Sequence, residues 1–159
     1  MTHYIRPKVT GATWFFTLHL ADRRSTVLLD HIDLLRQAYR RTWVEQPFET
    51  RAIVILPGAI HAIWTLPAGD ADVMPRWRKI KARFGQAMGA GASHDGGLWQ
   101  RRVWDHVIRN QTDHDHHLQF CLMAPVRLGL VDLPGDWTFS SIHRDLRSAA
   151  SLARQSVAA

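Results

Sequence analysis

The sequence predicts an α+β protein of one domain, and three observations along its 159 residues support that prediction. Residues 12–20, ATWFFTLHL, are rich in the aromatic and β-branched side chains that are typical of strands. Residues 51–66, RAIVILPGAIHAIWTL, contain two further strand-like runs, which the turn dipeptide Pro57-Gly58 joins into a hairpin. Apolar residues also recur at helical spacing on either side of this hairpin, so the chain can bury a core.

Two amphipathic helices are expected to flank the hairpin. The first begins at Asp30, a residue suited to an N-cap, and ends before Pro47; its apolar stripe consists of Ile32, Leu35, Tyr39 and Trp43. The second helix has its apolar stripe at i, i+4, i+7 and i+11, that is, at Val73, Trp77, Ile80 and Phe84. Both helices are expected to cover the same face of the sheet.

The second half of the chain is expected to supply the fourth strand and further helices. Residues 85–97 hold five glycines and predict a helix end followed by a loop. Residues 98–110, LWQRRVWDHVIRN, predict a strand or extended segment with interleaved arginines and tryptophans. A third helix is expected over 112–124, where Pro125 stops it, and a terminal helix over 142–157 that frays at its end.

The order strand, helix, two strands, helix, strand is the ferredoxin-like βαββαβ pattern. We therefore expect an antiparallel sheet with helices on one face, to which C-terminal helices are added. No internal repeat and no second zone of composition interrupts this order.

Charge and composition narrow the class of partner. The formal net charge is +6 and the sequence pI is about 10.4, which favours a polyanionic partner such as a nucleic acid. The single cysteine, Cys121, excludes an internal disulfide and suits a reducing compartment. No signal-peptide pattern and no run of about 18 apolar residues occurs, so we expect a cytoplasmic protein without a membrane span.

Several segments, taken together, resemble the REP-associated tyrosine transposases, a branch of the single-tyrosine HUH transposase superfamily. They are TWFFT, PFETRAIVILP, IHAIWTLPAGDAD, RWRKIKARF, WQRRVWDHVIR, the Pro-Val-Arg-x-Gly-Leu run at 125–130 and DWTFSSIHR, and they span most of the chain. Their joint order and spacing identify the family. The resemblance implies a ferredoxin-like domain that recognises short imperfect DNA hairpins and cuts single-stranded DNA beside them. Under it, residues 1–11 are a DNA-contacting tail, 12–146 the transposase-like domain and 147–159 a helical or frayed tail.

The resemblance also implies a particular chemistry. Members of the family use Mg²⁺ or Mn²⁺ held by the two histidines of a His-hydrophobic-His motif, and a tyrosine on a later helix attacks the scissile phosphate. Residues i and i+2 of a strand face the same side, so histidines at that spacing can share one metal ion. The ion polarises the phosphate while the phenol acts as nucleophile.

This chain departs from its family at both motifs. The usual Leu-Pro-Asp-His-hydrophobic-His run is LPGAIH at 56–61, so Ala59 replaces the first metal histidine and His61 is a vestigial ligand. The usual Tyr-Ile-x-x-Asn-Pro run is FCLMAP, so Phe120 stands at the nucleophile's position and Ala124 at that of the polar residue. Phenylalanine keeps the ring but has no oxygen with which to attack phosphorus. We therefore expect no intact catalytic residue and no bound cofactor.

The features that suit DNA contact are better preserved. Eight Lys or Arg residues stand against two Asp between positions 76 and 109, and basic side chains neutralise phosphates. Tryptophan and arginine planes among them suit stacking on unpaired bases. The alternative is that the tryptophans belong to the core and the charges to a solvated helix face. The predicted DNA-contacting residues are Arg6, Lys8, Arg76, Arg78, Lys79, Lys81, Arg83, Trp99, Gln100, Arg101, Arg102, Trp104, His106, Arg109, His143 and Arg144.

These observations favour a transposase-like DNA-binding protein, a monomer or homodimer, that recognises hairpin or single-stranded REP-like DNA without cleaving it. One alternative is an active transposase or nickase with a displaced nucleophile, for which Tyr4 and Tyr39 are the remaining tyrosines. Another is an RNA-binding or protein-interaction module. A separate hypothesis concerns the third helix, where a face at i, i+3 and i+7 suits either a zinc site or partly solvated polar residues: His114, His117 and Cys121.

Overall fold

Four strands form one antiparallel sheet in a computed structural model that describes residues 5–89 and 97–158. The strand order is β2-β3-β1-β4, and the strands are β1 (Thr13–His19), β2 (Glu49–Ile55), β3 (Ala59–Thr65) and β4 (Trp104–Val107). This is the order of a ferredoxin-like sheet, so the predicted α+β fold class is confirmed. The turn between β2 and β3 lies at Pro57-Gly58, as predicted. Most of the predicted glycine-rich loop, residues 90–96, lies outside the described residues.

Five helices accompany the sheet in the described part of the chain. They are α1 (Val27–Asp30), α2 (Ile32–Glu45), α3 (Val73–Ala87), α4 (Gln111–Arg127) and α5 (Ile142–Ala158), with a 3-10 turn at Pro134–Asp136. Asp30 ends α1 instead of capping α2, whose N-cap is His31. The prediction that Pro125 stops the third helix is wrong, because α4 continues to Arg127. Pro125 has no N–H, so it removes one hydrogen bond from the helix. Because α4 ends two residues later, few further helical hydrogen bonds are affected.

One face of the sheet packs against α2 and α3 and forms the main core. Alternate residues of β1, namely Trp14, Phe16 and Leu18, point into it and are fully buried. Trp64 of β3 stacks on Trp77 of α3 with ring centroids 4.1 Å apart. All four residues of the predicted α3 stripe are buried. Trp43 is the exception on α2: it is 46% exposed, and its indole donates to the carbonyl of Phe48 at the helix end.

The opposite face of the sheet packs against α4. Its smaller apolar cluster joins Val54 and Ile63 of the hairpin to Cys121 and Ala124 of the helix. The C-terminal helices predicted in addition to the ferredoxin pattern therefore include one that covers the second face. This placement brings the two degenerate motifs to the same side of the sheet.

The terminal helix α5 is anchored at its N-terminus to the edge strand β2. Ser141 donates its backbone N–H to the carbonyl of Ile53, and Arg144 donates to the carbonyls of Thr50 and Arg51. The helix runs without interruption across the domain boundary predicted at residue 146. None of the helices in the described ranges combines the length and apolar character that a membrane span requires.

Candidate functional site

Strand β3 carries the altered metal motif on the face that α4 covers. In the pairing with β1, His61 lies opposite Thr17 and Ala59 lies opposite His19. Ala59 and His61 line one cleft of about 660 Å³. The strand thus presents positions 59 and 61 side by side, as the motif requires, but position 59 offers only a methyl group.

His61 is buried and uncharged at neutral pH. The residue is only 7% exposed, and its Nδ1 lies 2.8 Å from Oγ1 of Thr17, within hydrogen-bond distance. Burial, together with the nearby charges of His19 and Arg127, lowers the pKa of His61 to about 4. The ring therefore presents a neutral imidazole, which is competent to bind a metal but has no second motif histidine beside it.

Helix α4 places the second altered motif against the first. The ring of Phe120 meets that of His61 edge-on with centroids 5.0 Å apart, and Ala124 is buried one turn further on. The guanidinium of Arg127 lies 4.0 Å from the centroid of the Phe120 ring and donates to the Phe120 carbonyl. Positions 59, 61, 120 and 124 therefore meet, although the side chains at 59, 120 and 124 carry no oxygen or nitrogen.

We call this space the motif cleft; its wall includes His19, Arg23, Ala59, His61, Trp104, Phe120, Ala124 and Arg127. No carboxylate is found among the described residues that line it, so the cleft is electropositive. Burial, together with the charge of Arg23, lowers the pKa of His19. Sequence reasoning missed His19, Arg23 and Arg127. The alternation of β1 and the i+7 spacing from Phe120 could have indicated His19 and Arg127, whereas nothing in the sequence marked Arg23.

A second space, the basic groove, adjoins the motif cleft at Trp104. It measures about 680 Å³, and its basic and aromatic lining consists of Arg6, Trp77, Arg78, Lys81, Arg101, Arg102 and Trp104. Trp104 is 52% exposed and lines both spaces, and the guanidinium of Arg102 lies 4.2 Å from its ring centroid. Arg6 forms an ion pair with Asp105, which fixes the N-terminal segment beside the groove. The structure thus brings together Arg6, Arg78, Lys81, Arg101, Arg102 and Trp104 of the predicted contacts.

Arg76 does not join the groove, and its assignment as a DNA contact is corrected to a structural role. It is 1% exposed, and its guanidinium makes five hydrogen bonds, to both carboxylate oxygens of Asp70 and to the carbonyls of Gln46, Pro47 and Asp72. These bonds use all five N–H groups of an arginine. They also hold the pKa of Asp70 below its usual value. Arg76 therefore joins the end of α2 to the start of α3.

Trp99 is likewise a core residue. It is buried against Phe84, with ring centroids 6.1 Å apart, so it has no exposed face on which a base could stack. The backbone of Gln100 donates to the carbonyl of His19, and its own carbonyl accepts from Lys81. These contacts extend the pairing with the end of β1 to residues that precede β4 in the chain.

Several other predicted contacts are engaged within the fold. Lys79 and Arg83 project from α3 towards α2: Lys79 donates to the side chain of Gln46, and Arg83 donates to both carboxylate oxygens of Glu45. Arg83 thereby lowers the pKa of Glu45. His143 donates to the carbonyl of Trp137, and Arg144 holds α5 as described above. Neither Lys79, Arg83, His143 nor Arg144 lines the basic groove.

Lys8 and Arg109 are exposed outside the groove, and His106 faces α4, where it donates to Asp113. Of the two interpretations of the α4 face at positions 114, 117 and 121, the zinc site is not assembled. Cys121 is fully buried in the second apolar cluster, and this burial raises its pKa to about 12. His117 turns instead towards Asp113 and His106.

Comparisons with known proteins identify close relatives. The chain is 43% identical over 146 residues to the REP-associated tyrosine transposase of Escherichia coli (strain K12), across 92% of this chain and 86% of that protein. It is 36% identical over 157 residues to the putative REP-associated tyrosine transposase of Haemophilus influenzae, across 93% and 89%. A solved structure of the REP-associated tyrosine transposase bound to a REP hairpin matches with a TM-score of 0.86 and 43% identity, across 92% of this chain and 86% of that one.

No protein-family model matches the chain. The relatives nevertheless align over more than nine tenths of it, and one of them shares its fold closely. The degenerate motifs lie together in the motif cleft, where the resemblance predicts a catalytic site. The chain belongs to the family of REP-associated tyrosine transposases.

Proposed function

We propose that this protein binds hairpin or single-stranded DNA of the REP type and does not cleave it. Binding is supported by the relative whose structure contains a REP hairpin and by the basic groove on this chain. The groove offers exposed Arg78, Arg101 and Arg102 for phosphates and the half-exposed ring of Trp104 for an unpaired base.

The absence of cleavage rests on one observation about the motif cleft. Positions 59, 120 and 124 lie around His61, but they supply two methyl groups and a phenyl ring. One imidazole without oxygen ligands binds Mg²⁺ or Mn²⁺ poorly, because hard ions prefer several oxygens. Phe120 cannot form a covalent bond to phosphorus. The cleft therefore has the positive charge of Arg23 and Arg127, which suits phosphate, but it lacks a nucleophile and a full set of metal ligands.

The decisive experiment measures binding and cleavage on one set of substrates. Fluorescence anisotropy would compare a REP-type DNA hairpin with a single-stranded tail, the same hairpin in RNA and a linear duplex, at several salt concentrations. We expect the DNA hairpin to bind most tightly, with affinity that falls as salt rises and does not change with EDTA. The same labelled DNA, incubated with Mn²⁺ and separated under denaturing conditions, is expected to show no covalent adduct.

The triple variant Ala59→His, Phe120→Tyr, Ala124→Asn is the matched control. It restores the family residues at three positions that already lie together, so we expect some metal-dependent adduct from it. An adduct formed by the unaltered chain would overturn the proposal. Tighter binding of RNA than of DNA would replace it with the RNA-binding alternative.

One observation bears on the active alternative. Oγ1 of Thr17 lies 2.8 Å from Nδ1 of His61 and lines the motif cleft, so it is a hydroxyl that could act as a displaced nucleophile. Tyr39 does not suit the role, since it is hydrogen-bonded to Thr50 and Trp64 in the core and burial raises its pKa. Tyr4 lies outside the described residues. If an adduct did appear, Thr17→Val and Tyr4→Phe would identify its origin.

A further inference from the structure

A second cluster of metal-binding side chains lies beside the motif cleft, at the junction of β4 and α4. It consists of His106 on the strand, and Asp113 and His117 in the first two turns of the helix. One ligand atom from each of the three lies within 4.8 Å of the others. The ring of Phe15 lies near both sites, with its centroid 4.8 Å from that of His117 and 6.2 Å from that of His61.

The distances within the cluster suit a small metal ion. Nε2 of His106 lies 2.8 Å from Oδ2 of Asp113. Nδ1 of His117 lies 3.1 Å from Oδ1 of the same carboxylate and donates to the backbone carbonyl of Asp113 at 2.8 Å. Ligands around a tetrahedral zinc ion with bonds near 2.05 Å are about 3.4 Å apart. An ion at this place would replace two hydrogen bonds, the one from His106 to the carboxylate and the one from His117 to the Asp113 carbonyl.

The chemistry of the cluster selects a type of ion. The carboxylate of Asp113 is held in place by hydrogen bonds from the backbone N–H of Arg109 and from His106. Two imidazoles and one carboxylate favour Zn²⁺ and its neighbours over Mg²⁺, which prefers oxygen ligands alone. The charge of Arg109 lies 3.8 Å from the carboxylate, but its side chain is mostly exposed and is free to move into solvent.

We propose that His106, Asp113 and His117 form a binding site for a divalent ion of the zinc class. Three protein ligands leave a fourth position, which a water molecule or a phosphate oxygen fills. The ion would link β4 to the start of α4, the two elements that border the motif cleft. The site is separate from the altered motifs, so the inference holds whether or not the protein cleaves DNA.

The direct test is titration of the EDTA-treated, dialysed protein with CoCl₂ and, in parallel, with ZnCl₂. We expect one equivalent of Co²⁺ to give a visible absorption spectrum of nitrogen and oxygen ligands without a thiolate charge-transfer band, and Zn²⁺ to displace it. Asp113→Asn and His106→Gln are expected to weaken binding by about 100-fold or more, since loss of a supporting residue alone costs 10–100-fold.

His116→Gln and His61→Gln are the matched controls. His116 is an exposed histidine adjacent to His117, and His61 is the histidine of the motif cleft; neither change should reduce the stoichiometry. Circular dichroism would show whether each variant folds, and the ring nitrogen NMR signals of the unaltered protein would report ligation independently. Absence of saturable Co²⁺ binding, or binding that survives loss of Asp113, would overturn the proposal and leave a hydrogen-bonded network only. A site lost in His61→Gln would overturn it in favour of the motif cleft.

Discussion

The two faces of the sheet are formed by the same strands, but one face is a closed core and the other borders an open cleft. On the α2/α3 face, Trp64 and Trp77 stack within a closed aromatic core. On the α4 face, the Phe120 ring and the small side chains at 59 and 124 border an open cleft. The second face packs α4 on the sheet although positions 59, 120 and 124 carry no oxygen or nitrogen in their side chains, so the fold does not depend on polar atoms there.

The largest effect is expected from truncation on the closed face. Trp77→Ala removes a fully buried ring that contacts Phe16, Tyr39 and Trp64, so unfolding free energy should fall by about 3–5 kcal/mol. Urea denaturation followed by circular dichroism measures it. Phe120→Ala, on the open face, is the control and should cost clearly less, because 40% of that residue is already exposed. Equal losses would contradict the distinction between the faces.

A second comparison uses two arginines of α3 that are two residues apart. Arg76→Ala leaves Asp70 and three carbonyls without their donor. Loss of one partner of a buried ion pair costs about 3–5 kcal/mol, and because the Asp70 side chain is 26% exposed we expect the lower end of this range, about 3 kcal/mol. Arg78→Ala changes an exposed side chain, and its stability should stay within about 0.5 kcal/mol of the parent. If Arg78 contacts a phosphate, Arg78→Ala should reduce the slope of log affinity for DNA against log salt concentration by about 1. A stable Arg76→Ala protein with weakened DNA binding would reverse these roles.

These two arginines also show how far sequence reasoning reaches. The stripe Val73, Trp77, Ile80 and Phe84 was predicted correctly because burial on a helix follows its period. Arg76 lies at i+3 from Val73, on that same stripe, so the periodicity already indicated burial and the charge obscured it. Arg78 lies about 200° around the helix from Arg76 and faces outwards.

Contacts set by long-range pairing were beyond the sequence. The alternation of β1 places His19 on the α4 face, but His19 lies opposite Ala59 only through the register of β1 with β3. Likewise, Trp99 reaches Phe84 in the core because its segment pairs with Leu20. His106 and Asp113 meet because the chain turns sharply between β4 and α4, with Asn110 capping the helix through Asp113. Residue types alone could not predict these contacts, because the sequence has several histidines and tryptophans that could occupy each position.

The buried His61 should make stability depend on pH. Its pKa is about 4 in the folded protein and 6.5 as an ordinary value, so between these limits the unfolded chain binds the proton and the folded chain does not. Stability is therefore highest above pH 6.5 and falls by up to about 3 kcal/mol as pH decreases to 4.

Urea unfolding at pH 7 and pH 4.5 measures this loss, and His61→Gln should abolish most of it. His19 contributes in the same direction, because its pKa is also lowered, so a smaller loss remains in the variant. Glu45, Asp70 and Asp113 also have lowered pKa values, and their contributions are lost mainly as pH falls below the ordinary values of 4.5 and 3.8. They therefore add only a small loss at pH 4.5, which His61→Gln should retain. An unchanged pH dependence in His61→Gln would show that the imidazole is solvated.

Two half-exposed tryptophans test whether the open side of the molecule stacks on DNA. Trp104→Ala should weaken binding to single-stranded DNA by about 1–3 kcal/mol, the usual value of one base stacked on an aromatic ring. Trp43→Ala is the control, since Trp43 is similarly exposed but lies outside the basic groove. Anisotropy titrations measure both, and equal affinities for the two variants would remove Trp104 from the interface.

The smallest effect is expected from restoring the nucleophile alone. Phe120→Tyr adds one hydroxyl to a ring that is partly exposed and already oriented by Arg127, so stability should change by less than about 0.5 kcal/mol. We expect no covalent adduct with Mn²⁺, because Ala59 and Ala124 leave the metal without two of its ligands. Denaturing electrophoresis of the labelled DNA measures it. An adduct from this single change would mean that His61 and His19, on neighbouring strands, can already hold the ion. The motif cleft would then lack only the hydroxyl of the nucleophile.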